Sequence, residues 1–339
     1  MIIITKQSYN LIDIVKFVAS ILILTMHCNA FGDFGYIGLA FEIIARWGVP
    51  FFFIASSFFL FGKSVDGNIK KDTLQRYLKR IFLLYLVWLC INLPSVIYSR
   101  ITSDSLMSLS AWLITLKGYL LSSTFTGSWY LASSLFSAFF IYVLSKKFNT
   151  KAVLAITFPI YVICILTSVY RGLLPERIAT ALSFLHFPLN IFNGCFYFTV
   201  GKYIVENKEK LLNIFSKVKC LILFAAFYFF YLIELFVARR FNILGSTDVS
   251  FSIIGVAFFL FLFCIQTPVS IKHSVLFRKL STIVYCSQGN VLLINTLCKA
   301  HIESLFVTYL ISLSIVAIIC ILVLLLQKKS HWKWVTYLT

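Results

Sequence analysis

Apolar residues run through this chain in long uninterrupted blocks, and the polar positions fall mostly between them. Ten blocks are long enough to cross the roughly 30 Å hydrocarbon core of a bilayer as helices. They lie near 10–31, 43–62, 80–99, 128–145, 152–170, 181–203, 218–238, 249–267, 281–298 and 304–326. The stretch LMSLSAWLITLKGYLL, residues 106–121, is shorter and amphipathic and carries Lys117. It is predicted to lie in the membrane interface; if it spans instead, the count becomes eleven and the topology after it inverts. The expected fold is all-α, a polytopic integral membrane bundle of about ten transmembrane helices. It occupies residues 1–339 as one domain, with no soluble domain between the spans.

Composition and charge sharpen this reading. Of 339 residues, 60% are hydrophobic and 12% are charged, and a soluble domain of this length has no interior large enough for so much apolar surface. Asp13 and Lys16 interrupt the first block and no small-residue cleavage site follows, so it is expected to be retained as a span. With the N-terminus in the cytoplasm, 21 of the 30 Lys and Arg residues fall in inner loops and eight at the outer side, Lys16 being the other. The positive-inside rule favours this orientation, with both termini cytoplasmic. The net charge of +18 is then explained by inner loops facing anionic lipid and does not call for a nucleic-acid partner. The nine cysteines are scattered and form no metal-binding pair, and no metal site is expected. No phosphate-binding glycine loop or nucleophile elbow is present.

The candidate chemistry lies in polar residues inside the spans, which hydrocarbon excludes unless the protein uses them. Lys16 and His27 lie on the first span, about 16 Å apart along a helix. A cation near the inner end and a proton acceptor near the outer end suit a substrate lying along the membrane normal. Asp13 is three residues from Lys16 and shares its face; Glu42 and Arg46 are four apart at the outer start of the second span. Each couple is spaced to pair. Further polar residues gather on later spans: His186, Asn190 and Asn193; Glu234, Arg239 and Arg240; Gln288, Asn290 and Asn295. Individually these also fit structural roles, as hydrogen-bonded helix contacts or as long side chains reaching the interface.

The N-terminal stretch YNLIDIVKFVASILILTMHC resembles the first helix of the acyltransferase-3 family of integral membrane acyltransferases, whose motif is a basic residue, ten residues, then a His. Here it reads Lys16 to His27, with Lys where the family usually has Arg and with Asp13 at the acidic position. RWGVPFFFIASSFFLFGK resembles the family's second-helix signature, with Ser57 where Gly is common. LQRYLKRIFLLYLVW resembles the basic entry to the third helix. Arg80 matches the second of two arginines three apart; the first falls on Tyr77, beside Arg76. GSWYLASSLFSAFFIY, containing Trp129, resembles the fourth-helix block, and FYFTVGKYIVE the sixth-helix end. LSTIVYCSQGNVLLIN resembles the ninth-helix block, with Gln288 where a His commonly stands. The likeness is strongest over residues 9–147.

The resemblance implies transfer of an acyl group, expected to be acetyl, from cytoplasmic acyl-CoA to a hydroxyl of an exported or lipid-linked glycan in a bacterial cytoplasmic membrane. It implies no bound cofactor, with acyl-CoA as co-substrate. Asp13, Lys16, Arg76, Arg80 and Trp129 are then the candidate substrate-binding residues. His27 is the candidate general base, Arg46 the candidate oxyanion partner, and Glu42 the candidate for orienting the imidazole. Two other readings stay open. The family also forms the membrane part of serine-racemase resistance proteins, where amino-acid transport is the suggested role, and a non-catalytic accessory subunit has the same composition.

Overall fold

The structure is a computed structural model, and it describes residues 9–64, 69–102, 116–119, 121–183, 185–330 and 332–339. Its regular elements are helical: α1 (Asn10–His27), α2 (Tyr36–Ala45), α3 (Gly48–Phe61), α4 (Lys71–Ile91), α5 (Leu93–Ile101), α6 (Trp129–Ser145), α7 (Thr150–Leu166) and α8 (Glu176–Ser183). They continue as α9 (Gly194–Glu206), α10 (Lys208–Ile214), α11 (Lys217–Arg240), α12 (Ser252–Gln266), α13 (Ser274–Cys286), α14 (Gln288–Lys299) and α15 (Leu305–Lys329). Of the expected interfacial helix at 106–121, most lies outside the described residues.

Helix α3 is the hub. Phe51, Phe53, Ile54 and Ala55 along it are fully buried, and α1, α4, α6, α9 and α12 pack around it. Close packing of α3 with α9 rests on small residues, as in membrane bundles generally. A Cβ on Gly201 would lie 2.6 Å from the Ile54 carbonyl oxygen and 2.6 Å from Ser57 Cβ. The hydroxyl of Ser57 donates to the Phe198 carbonyl, so the extra bulk of Ser57 is accommodated by the glycine opposite it.

The periphery is the inverse of the hub. On α11, Phe229, Phe230 and Phe236 are exposed; on α15, Ile318, Ile321 and Leu322 are. Long helices that present phenylalanine and isoleucine outward are stable only where the surroundings are apolar. Among the described residues, four helical segments are long and apolar enough to cross a bilayer, Asn10–His27, Ile43–Phe61, Lys217–Arg240 and Leu305–Lys329, and a fifth if α4 and α5 count as one bent span. The protein is a polytopic membrane helix bundle.

Three of the predicted spans are not continuous helices. The third bends by 62° between α4 and α5. Pro94, the second residue of α5, cannot donate the amide that would continue α4. The ninth is split at Ser287 into α13 and α14, and the sixth becomes helical as α9 only from Gly194, after the separate helix α8. Periodicity of apolar residues reports which segments are buried, and it passes over a break whose loose backbone groups are satisfied by a neighbour.

The α4–α5 and α13–α14 breaks satisfy each other. Asn92, fully buried, donates its side-chain amide to the Trp88 and Cys286 carbonyls at 2.8 and 2.9 Å. Its side-chain oxygen accepts the Asn290 backbone N–H at 2.9 Å. Asn290 in turn donates to the Ile91 carbonyl at 2.6 Å and accepts from the Ser95 N–H at 3.3 Å. Asn92→Ala would leave several buried backbone groups without partners, each costing about 1–3 kcal/mol. The expected result is a lowered thermal midpoint for the detergent-solubilised protein, with Asn92→Asp less tolerated than Asn92→Gln; a midpoint within error of the parent for Asn92→Ala would contradict this account of the junction.

Candidate active site

A cavity of about 570 Å³ opens beside the C-terminal end of α1. Ile23, Met26 and His27 of α1 form one wall; Arg46, Val49, Pro50 and Phe53 come from the start of α3 and the turn before it. Ser95 and Ser99 of α5, Trp129 of α6, Asn193, Tyr197 of α9, Asp248, Tyr285, and Leu292 and Thr296 of α14 complete it. The two broken spans therefore both line this space, α5 with hydroxyls and α14 with one mixed face.

His27 is the last residue of α1, and its ring is open to the cavity. The helix end that presents it is clamped from behind. Lys299 donates to the Cys28 carbonyl at 3.0 Å, placing an ammonium at the negative end of the helix dipole, and Thr25 donates to the Tyr309 hydroxyl at 3.0 Å. Among the described residues no side chain hydrogen-bonds the His27 imidazole. Arg46 and Asp248 lie within electrostatic reach of it.

Arg46 has a partner that its local spacing did not suggest. Its guanidinium pairs with the carboxylate of Asp248, 202 residues away, in the loop before α12, and both are largely shielded from solvent. Arg46 closes the end of α2, which aims it across the cavity mouth toward that loop. Glu42 belongs to α2, but its side chain lies outside the described residues.

Asp13 departs from its expected partner. It is 4% exposed and receives a two-pronged bond from Arg278, from Nε at 3.0 Å and Nη2 at 2.8 Å. A planar guanidinium matches a carboxylate in this way, whereas the ammonium of Lys16 on the same helix has no such fork. Lys16 is left facing inward with its Nζ 5.8 Å from the centroid of the Phe52 ring. Arg278 and Arg80 are both within electrostatic reach of it. Arg80 is exposed and donates to the Thr339 carbonyl at 3.4 Å; Arg76 is exposed and turns back to the Asp72 carbonyl at 3.3 Å. Lys16 thus has Arg278, which holds Asp13, and Arg80 of a third helix within electrostatic reach, and Arg76 stands outside the group.

Trp129 lies on the cavity wall, with its ring 5.9 Å from that of Phe53. Among the described residues several buried side-chain polar atoms lack a hydrogen-bond partner, and two of the residues concerned bear on the site. The side-chain oxygen of Asn193, on the cavity wall, has no hydrogen-bond partner, although the amide nitrogen donates to the Pro188 carbonyl at 2.6 Å. Gln288, fully buried at the first turn of α14, has no partner for either side-chain polar atom. Buried groups of this kind are rare in folded proteins and mark places where a further polar group is accommodated.

Sequence reasoning missed Asp248, Arg278 and Lys299 as site residues. Asp248 stands directly before an apolar run, and Arg278 and Lys299 entered only as loop charges. Their partners are 202, 265 and 271 residues away, beyond any local spacing rule.

The membrane bundle thus has a partly polar cavity at one end of α1 and a group of cations near the other. Comparison with known proteins narrows the class. The acyltransferase-3 family, described as an acyltransferase domain, matches residues 9–326, and the chain belongs to that family. A curated relative is an amino-acid racemase of Enterococcus faecalis, 26% identical over 226 residues, which is 62% of this chain. The matched region is 31% of that racemase's length. No solved structure matches the chain.

Removing one member of the Arg46–Asp248 pair breaks a largely shielded ion pair, at a cost of up to about 3–5 kcal/mol. Arg46→Met and Asp248→Leu alone should each lower the thermal midpoint, and the Arg46→Met/Asp248→Leu double variant should recover much of the loss. Additive losses in this cycle would mean that the two side chains are not coupled.

Proposed function

We propose that the protein is a membrane O-acyltransferase that takes an acyl group, expected to be acetyl, from cytoplasmic acyl-CoA. The acceptor is a hydroxyl of an exported or lipid-linked glycan, in a bacterial cytoplasmic membrane that the chain crosses about ten times. The observation that carries this is the division of labour along α1. Lys16 lies in a cation-rich group at one end, and His27 opens into the cavity near the other, eleven residues on.

Each end suits its half of the reaction. Lys16, with Arg80 and the Asp13-bound Arg278 in electrostatic reach, carries an excess of positive charge that the phosphates of CoA would balance. The thioester then extends toward the cavity. The His27 imidazole takes the proton of the acceptor hydroxyl, whose oxygen attacks the thioester carbonyl. A tetrahedral oxyanion forms, the carbon–sulfur bond breaks, and the CoA thiolate leaves and takes up a proton. Arg46, fixed by Asp248, is the nearest named cation for the oxyanion. The unpaired oxygen of Asn193, the hydroxyls of Ser95 and Ser99 and the Trp129 ring suit a hydroxylated acceptor.

A second reading has one observation in its favour. Arg46 and Asp248 set opposite charges side by side on the cavity wall, as a zwitterionic amino acid requires, and the relative's name specifies amino acids. In that case the cavity is a transport site. Labelled acetyl transfer from acetyl-CoA in membrane vesicles supports the first reading; amino-acid uptake independent of acetyl-CoA supports the second.

His27→Ala should leave a folded, inserted protein whose acetyl incorporation into surface glycan falls by about 10²-fold or more, the usual scale for loss of a general base. Near-parental incorporation at matched protein level would end this mechanism. Lys16→Ala and Arg80→Ala should raise the acetyl-CoA concentration needed for half-maximal transfer, and Lys16→Arg should be tolerated. An unchanged donor dependence would leave these cations a purely interfacial role. Reporter fusions at Lys147 and Lys210 should both read cytoplasmic; an external signal at Lys147 would mean that residues 106–121 span.

A further inference from the structure

The cavity and the cation cluster are separated by three aromatic rings. Phe52 of α3, Tyr130 of α6 and Tyr285 of α13 touch one another pairwise: 5.8 Å between the centroids of Phe52 and Tyr130, 5.7 Å between Phe52 and Tyr285, and 5.5 Å between Tyr130 and Tyr285. Tyr285 is part of the cavity wall, while Phe52 lies against the ammonium of Lys16 on the other side. Phe52 and Tyr285 are 3% and 5% exposed, so the three rings close the path between the two regions.

The rings are held unequally. The Tyr285 hydroxyl donates to the Gly127 carbonyl at 2.8 Å, and Gly127 sits in a turn with φ of +85°, a conformation that side-chain-bearing residues rarely adopt. The Tyr130 hydroxyl shares a hydrogen bond with Ser56 at 2.9 Å. Phe52 has no polar tie. Its ring is held by packing and by the Lys16 ammonium over its face. Two rings are therefore tethered by hydrogen bonds, and the third is held by packing and by Lys16 alone.

We propose that Phe52, Tyr130 and Tyr285 form an aromatic septum between the inner cation cluster and the His27 cavity, and that Phe52 is its moving leaf. An anion that draws Lys16 off the ring opens it to a thin chain, of the kind that joins phosphates to thioester in an acyl-CoA. This rests on the acyl-transfer reading above. It places in Phe52 and Lys16 the coupling between donor binding and access to the reacting centre, so that the membrane stays sealed while no donor is bound.

The septum can be tested without measuring acyl transfer. Ser95→Cys puts a thiol on the cavity wall. In right-side-out and inside-out vesicles, a small charged methanethiosulfonate reagent should modify it from the outer face and leave it almost unmodified from the Lys16 face, each counted above the parent chain. Phe52→Ala, and to a lesser degree Phe52→Leu, should raise labelling from the Lys16 face about tenfold while outer-face labelling stays unchanged, which also reports that the cavity has kept its shape. Lys16→Ala should raise it too; inorganic pyrophosphate at the Lys16 face should raise it in the otherwise unmodified Ser95→Cys chain and add nothing to Lys16→Ala. Equal labelling from both faces with the septum intact, or no rise in Phe52→Ala and Phe52→Leu, would overturn the septum. A Lys16→Ala chain that stays closed would overturn the coupling. Normal labelling behaviour in a protein that transfers no acetyl group would count against the acyltransferase reading alone.

Discussion

Inside hydrocarbon, a backbone group or charge that the protein does not satisfy has no water to turn to. The junction of the two broken spans depends on this constraint more than any other part of the molecule. Asn92 and Asn290 reach across from one break to the other, and each supplies bonds that the other helix lost. Because the breaks are satisfied there, α5 and α14 can leave the lines of α4 and α13. Both then turn faces toward the cavity, bringing Ser95, Ser99, Leu292 and Thr296 to its wall.

The same constraint sorts the charges. Carboxylates are few, 12 in the whole chain, and those placed in the site are each held by an arginine from a remote segment. Asp248 fixes Arg46 near His27, and Arg278 fixes Asp13 near Lys16. Pairing Asp13 with Arg278 releases Lys16 from its neighbour on the helix and leaves Lys16 among cations, while Arg46 held by Asp248 stands near His27. The different settings of Lys16 and His27 are thus built by tertiary ion pairs around one helix.

Packing supplies the remaining part. The largely buried α3 carries Phe51, Phe53 and Ile54 into the middle of the bundle, while α11 and α15 turn their bulky apolar side chains outward. A rigid centre and an apolar rim place Phe52 on one side of the cavity floor and Pro50 on its wall. The membrane bundle and the acyltransferase-3 membership follow from the whole chain; the polar chamber follows from a few residues at helix ends and breaks.

The apolar runs alone determined that this is a helical membrane protein, because the bilayer demands long apolar helices and leaves a strong linear signature. Local spacing also determined that Lys16 and His27 lie at opposite depths of one helix, since α1 is continuous between them. The interruptions at Asn92, Ser287 and before Gly194 left no comparable signature, because the residues that satisfy a break can lie some 200 positions away. Neither did the ion pairs. Helical spacing joined Asp13 to Lys16, whereas the fold joined Asp13 to Arg278, and it gave Arg46 a partner in Asp248 that no local spacing indicated. Spacing along one helix shows which side chains share a face, but the partner a charge takes is set by what the neighbouring helices bring to it.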